Sequence, residues 1–164
     1  MSEIEIKEGY VPGLIGTVSR LFSRHFADLC GFGQAFEIKV ACELADFVER
    51  SKDPDLAFWH ASLDGEAVGS VFIDGKNLGE NIGHLRWFIL DPKAHGNGIG
   101  NALMTKAMGF CDARGFEETH LWTIKGTDAA RRLYEHHGFE LEQEFEGDQW
   151  GSVAVEQKFI RKKP

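Results

Sequence analysis

Six residues, His95-Gly-Asn-Gly-Ile-Gly100, place three glycines between an apolar run at 85–90 and a run of helical spacing at 101–114. Glycine loses more backbone freedom on folding than any other residue, so such a cluster needs a reason. Anion binding supplies one. The first turn of a helix has amides without internal partners and a partial positive charge. Glycines just ahead of it let phosphate oxygens approach the main chain unobstructed. Two familiar phosphate loops do not fit. The dinucleotide fingerprint G-x-G-x-x-G would need glycine at Asn101 or Leu103, depending on the frame. The P-loop fails because no Gly-Lys-Ser/Thr occurs. What remains is a strand, a short loop and then x-G-x-G-x-G over His95, Gly96, Asn97, Gly98, Ile99 and Gly100, opening a helix ahead of Asn101.

Composition excludes several other chemistries. Cys30, Cys42 and Cys111 form no C-x-x-C pair, and no His/Cys cluster has zinc-ligand spacing. They read as free thiols, and no metal is expected. The net charge of −8 argues against a nucleic-acid partner or an anionic membrane surface. The one basic run, Arg161-Lys162-Lys163, reads as a solvated tail. A cationic substrate would suit the overall balance. The charged opening, MSEIEIKEGY, lacks an apolar signal core, and no apolar run reaches the ~20 residues of a membrane span. A single soluble domain over 1–164, cytoplasmic, is the expectation.

The elements that must position the cradle follow from periodicity. A short strand at 3–7 and a turn around Pro12 lead to a helix at 14–28, with Leu14, Val18, Leu21, Phe22, His25 and Leu29 along one side. A second helix, 35–50, carries Phe36, Val40, Leu44, Phe47 and Val48. Strands at 56–63 and 66–73 flank the turn signal Asp64-Gly65, and a longer strand at 81–90 ends before Asp91-Pro92. A helix then runs to Arg114, stopped by Gly115. A strand at 119–124, a helix after Thr127 and two strands at 139–146 and 150–160 complete the chain. The predicted fold is α/β, in the order β-α-α-β-β-β-α-β-α-β-β. It has four helices and a mixed, mostly antiparallel sheet of about seven strands.

Two motifs in this frame carry a resemblance. HGNGIG is similar to motif A of the GNAT-type N-acetyltransferases, Gln/Arg-x-x-Gly-x-Gly/Ala, with Gly98 and Gly100 matching and His95 in place of Gln or Arg. AARRLYEHHGF at 129–139 resembles that family's A-x-x-L-Y-x-x-x-G-F helix signature. The motifs lie about 35 residues apart and bracket one strand, with the β-hairpin and two helices upstream. FE-x-x-VA at 36–41 and LWT-x-x-x-x-DAARRLYE further resemble the acetyltransferase domain sometimes fused to regulators of the MarR type.

The resemblance implies acetyl-CoA as co-substrate, lying between the fourth and fifth strands, and direct transfer to an amine. It implies that the main chain of Phe88, Ile89 and Leu90 holds the pantetheine arm and that the amides of 95–101 hold the pyrophosphate. Thr127 takes a position where the family often has Asn. Tyr134 takes the general-acid position, protonating the departing thiolate. An alkyl amine costs about 4–5 kcal/mol to deprotonate at neutral pH, so either a side chain or a chain of waters must accept the proton. His84 stands where some members have a Glu, and Glu37 lies where the fold binds acceptors. Both also read as ordinary surface residues. Arg86 shares the His84 face and could meet an acidic substrate group or a surface carboxylate. The tryptophans read mainly as core, with one bordering the acceptor pocket. A small-molecule amine or a protein lysine is the expected acceptor, and a homodimer through the last strands is open. The other readings are a non-catalytic acyl-CoA-binding sensor and a general nucleotide-phosphate binder.

Overall fold

Seven strands and four α-helices make up the computed structural model, which describes residues 2–164. The strands are β1 (Ile4–Glu8), β2 (Leu56–Leu63), β3 (Glu66–Asp74), β4 (Ile82–Leu90), β5 (Glu118–Ile124), β6 (Glu140–Gly147) and β7 (Ala154–Lys162). They form one sheet in the order β1-β2-β3-β4-β5-β7-β6, and the β4–β5 pair alone is parallel. Helices α1 (Leu14–Cys30) and α2 (Gln34–Arg50) pack on one face, and α3 (Ile99–Arg114) and α4 (Asp128–His136) on the other. This is the predicted element order.

Each face has its own core. On the α1/α2 face, Phe36, Val40, Leu44 and Phe47 recur at helical spacing and meet Phe58, Phe72 and Trp87 of the sheet. On α1 the inner stripe runs through Leu14, Val18, Leu21 and Phe26, and the expected His25 and Leu29 are exposed instead. Phe26 takes the inner place because its ring packs against Phe22, Phe32 and Phe36. On the α3/α4 face, Ile99, Leu103, Met104, Ala107, Met108 and Cys111 pack against Val68, Val71, Leu85 and Leu121.

Two departures from the expected elements matter for the site. The last strand begins at Ala154 rather than 150, because the turn after β6 is longer than two residues and includes Gly151 at φ 90°. That turn frees Trp150 from the sheet to pack on Phe32 and Phe36. In β4, Phe72 pairs with Arg86 and Ser70 with Ile89, so Trp87 and Phe88 together oppose the single residue Val71. Trp87 adopts φ 44°, a left-handed conformation unusual for a bulky residue. Its carbonyl accepts a hydrogen bond from the buried Ser70 hydroxyl at 2.8 Å, which helps hold the bulge. A bulge shifts the side-chain alternation by one residue. Before it, Leu85 faces α3; after it, Phe88 and Leu90 do, while Trp87 and Ile89 face α2.

Candidate active site at the split between β4 and β5

The cradle forms where the glycines lie. Asp91 caps a single 3-10 turn, Pro92–Ala94, and Gly96 and Gly98 follow with φ 81° and 72°. Nothing lies within 4 Å of a side chain built at either glycine. Gly98 is the N-cap of α3 and offers no side-chain cap. The first helical hydrogen bond runs from Ala102 N to Gly98 O at 3.0 Å, so the amides of Ile99, Gly100 and Asn101 precede it. The arrangement fits a diphosphate. His95 is exposed, and its Nε2 donates back to the Leu90 carbonyl at 3.3 Å. Gly100 does different work from its neighbours. A Cβ there would stand 3.0 Å from Leu133 Cδ1 and 3.5 Å from Phe88 Cζ, so its smallness lets α3 approach α4 and β4. Asn101 Oδ1 accepts from His137 Nε2 at 2.8 Å, a second tie between α3 and α4.

Directly beside the cradle the sheet splits. β4 and β5 pair only over Ile82–His84 and Glu118–His120. Beyond that point β5 keeps β7 as partner and β4 keeps β3, so the facing main chains of 85–90 and 121–124 are unpaired with each other. The gap is an unfilled sheet edge inside the molecule, suited to an extended chain with amides of its own. Phe88, Ile89 and Leu90 line its β4 side. In the loop after β5, Gly126 lies against Leu29 of α1. Thr127 is the N-cap residue of α4 but makes no side-chain cap bond; its hydroxyl lies 3.1 Å from Thr123 Oγ1 and donates to the Ile124 carbonyl at 3.1 Å.

Tyr134 stands on the α4 side of this gap. Its ring sits among Phe88, Phe139 and Phe159 at centroid distances of 5.9, 6.1 and 6.0 Å. No hydrogen-bond partner holds its hydroxyl among the described residues. Burial pushes its pKa upward, so the phenol keeps its proton at neutral pH and can give it away.

On the opposite face, a cavity of about 270 Å³ opens between α1, α2, β4, β5 and the β6–β7 turn. Phe22, Phe36, Trp87, Trp122 and Trp150 form its walls, and Lys39, Glu43, His84 and Arg86 its charged or titratable lining. The bulge explains why Arg86 and Trp87, adjacent in sequence, both face it. Arg86 Nη2 donates to Glu43 Oε2 at 2.5 Å, and the guanidinium carbon lies 4.0 Å from the Trp87 ring centroid.

His84 lines this cavity, in a state unlike that of a base working near neutrality. Burial, with Arg86 and His120 adding to it, pushes its pKa down to about 3. Its Nδ1 is 2.9 Å from the Asn77 amide nitrogen. The ring is therefore neutral near pH 7 and a weak proton acceptor. Glu37 is exposed on the first turn of α2 and does not line the cavity. The positions of α2 that do are 36, 39, 40 and 43, so its carboxylate in the cavity is that of Glu43. Sequence reasoning misses Glu43; its spacing from Phe36 and Val40 is the signal that could find it. Three tryptophans, not one, border the cavity, and Trp59 packs against Phe110 in the other core.

Elsewhere, a larger opening of about 450 Å³ includes Asp55, Lys76 and Arg114, whose charges pair with one another. Cys111 is buried and its thiol is pushed up to about 11, which leaves it unreactive at neutral pH. No group of three His, Cys, Asp or Glu among the described residues is placed to hold a metal, and no helix among them is long and apolar enough to cross a membrane.

A family model described as the acetyltransferase (GNAT) family matches residues 20–139. The N-acetylaspartate synthetase of Xenopus tropicalis is 36% identical over 88 residues, 54% of this chain and 32% of that protein. The mycothiol acetyltransferase of Beutenbergia cavernae is 35% identical over 89 residues, 53% of this chain and 29% of that protein. The chain thus spans about a third of the length of these curated relatives. The PaiA N-acetyltransferase of Thermoplasma acidophilum, solved in complex with coenzyme A, is 20% identical with a TM-score of 0.71 over 98% of this chain and 99% of that one. YncA of Salmonella typhimurium, solved with its cofactor acetyl-CoA, is 12% identical with a TM-score of 0.75 over 98% and 94%. At these identities the structural likeness is one of fold.

Proposed function

Because the chain belongs to the acetyltransferase (GNAT) family, we propose that it transfers an acetyl group from acetyl-CoA to a primary amine held in the aromatic cavity. One observation carries the reading. The split between β4 and β5 joins three features: the uncapped α3 amides at its mouth, Tyr134 on one face and the acceptor cavity on the other. Bound acetyl-CoA supplies an activated thioester. The chain's own residues do the rest. Amides at Gly98–Asn101 hold the diphosphate, and the main chain of Phe88–Leu90 holds the arm. The cavity orients the amine, whose nitrogen forms the new C–N bond as the C–S bond breaks. Tyr134 gives its proton to the departing sulfur, and the proton lost by the amine returns through water to restore the phenol.

Glu43 is better placed than His84 to receive the acceptor's ammonium group, because its carboxylate lines the cavity and is partly open to water. Relatives named for small metabolites favour a small-molecule amine over a protein lysine. The likeness to the domain fused to MarR-type regulators, a cytoplasmic setting and a homodimer remain part of this proposal, resting on sequence pattern.

The test is to incubate the protein with acetyl-CoA and a panel of primary amines and follow free thiol. Amine-dependent release of coenzyme A, lost on Tyr134→Phe, is the expected result. Tight coenzyme binding without turnover on any amine would replace this reading with the acyl-CoA sensor.

A further inference from the structure

We propose that the acceptor carries a carboxylate as well as its amine: it is an amino-acid-like molecule, read by Arg86 and Lys39 at the carboxylate and by Glu43 at the nitrogen. This rests on the acetyl-transfer reading and narrows its acceptor. Two cations and one carboxylate line the cavity, and His84 is neutral there. The local charge is therefore positive although the chain as a whole carries −8. Distant surface charges are screened beyond about 8–10 Å, so a bound molecule is governed by the cavity's own groups.

Arg86 has the geometry of a carboxylate anchor. Its side chain is 17% exposed and lies against Trp87. Its Nη2 contact with Glu43 is the guanidinium's hydrogen bond among the described residues, leaving the other N–H donors of the planar fork for a ligand. Asp74, whose charge Arg86 also senses, is paired with Arg50 and makes no hydrogen bond to Arg86. Lys39 makes no ion pair among the described residues and lies one turn from Phe36 on the cavity side of α2.

The reacting state decides which amine fits. The nitrogen must lose its proton before it attacks. An amino acid in that state carries one negative charge, which complements the cavity. A diamine in that state stays cationic and meets two cations instead. A simple monoamine leaves the donors of the Arg86 fork that Glu43 does not take unpaired in a largely buried place, which is costly. The five aromatic walls suit an apolar side chain or stem, and a volume of about 270 Å³ admits a small molecule.

The experiment uses the wild-type protein and matched acceptors: α-amino acids, their amides and their decarboxylated amines. Thiol release gives kcat/KM. Acceptor binding is read separately, with coenzyme A in place of acetyl-CoA, through tryptophan fluorescence. The acids should exceed both analogues by ~100-fold or more in kcat/KM, as expected when a desolvated charge loses its partner. Arg86→Gln should collapse that ratio to a few-fold, and Arg86→Lys should restore part of it. Equal or faster transfer to the amides or amines would overturn the inference while leaving the acetyl-transfer reading intact. If no amine releases thiol, that reading fails, and the fluorescence titration still decides this one: acids bound no better than their amides would overturn it. Should Arg86→Gln not fold, the wild-type panel alone decides between the acids and their analogues.

Discussion

The two ends of the split differ in what builds them. The end proposed for the coenzyme is made of main chain: glycines in left-handed conformations, uncapped amides and an unpaired strand edge. The end proposed for the acceptor is made of side chains from α1, α2, β4, β5 and the β6–β7 turn, brought together by packing. A backbone site makes the same hydrogen bonds whatever its side chains are, so it constrains few residue types. A side-chain site can change its ligand by single substitutions while the fold stays as it is. The coenzyme end should therefore be brittle to added bulk, and the acceptor end should be tunable in specificity.

The largest expected effect falls between the two ends. Tyr134→Phe removes a hydroxyl and leaves the aromatic packing with Phe88, Phe139 and Phe159 in place. It should lower kcat by ~10²–10⁴ while coenzyme affinity is unchanged. Turnover at the wild-type rate would mean that the sulfur leaves unaided. Next comes Gly98→Glu, which puts bulk and negative charge into the cradle and a side chain at φ 72°. Coenzyme A affinity, measured by calorimetry, should fall by ~100-fold or more, with the circular dichroism of the folded chain retained. Unchanged affinity would remove the cradle from the account.

Gly100→Val separates packing from binding. Its branches would enter the 3.0 Å approach to Leu133, so stability should fall by ~1–3 kcal/mol in urea denaturation. An unchanged midpoint would show that α3 and α4 can part without cost. The smallest effect concerns His84. Its folded pKa of about 3 lies below its ordinary 6.5, so the unfolded chain takes up the proton first as pH falls. The stability it contributes is full above about 6.5 and is lost progressively towards about 3. His84→Gln should flatten that part of the stability profile, and an identical acid limb in both proteins would place His84 in water rather than in the cavity.

The same contrast explains how far the sequence can be read. Gly96, Gly98 and the L-Y-x-x-x-G-F helix are local patterns, and the left-handed turn and uncapped helix start at the glycines are legible from them. Element order follows from periodicity, with ends displaced by a few residues. The third glycine reads as part of the phosphate cradle, whereas its smallness serves the contact with Leu133. Nothing in HLRWFIL announces that Trp87 is left-handed, so the shift that sets Arg86 and Trp87 side by side is invisible in the sequence. Glu43 and Trp150 reach the cavity only through the seating of α2 and the longer turn after β6. The strand position of His84 is legible, but its depressed pKa depends on neighbours from other elements, Arg86 and His120 among them.

Amide chemical-shift mapping with coenzyme A tests the central claim most directly, because that claim concerns main-chain groups. The account predicts that the largest shifts fall at Gly98–Asn101 and Phe88–Leu90, on either side of the split, while the fully paired β2–β3 amides hardly move. Saturable binding that leaves both segments unperturbed would contradict it.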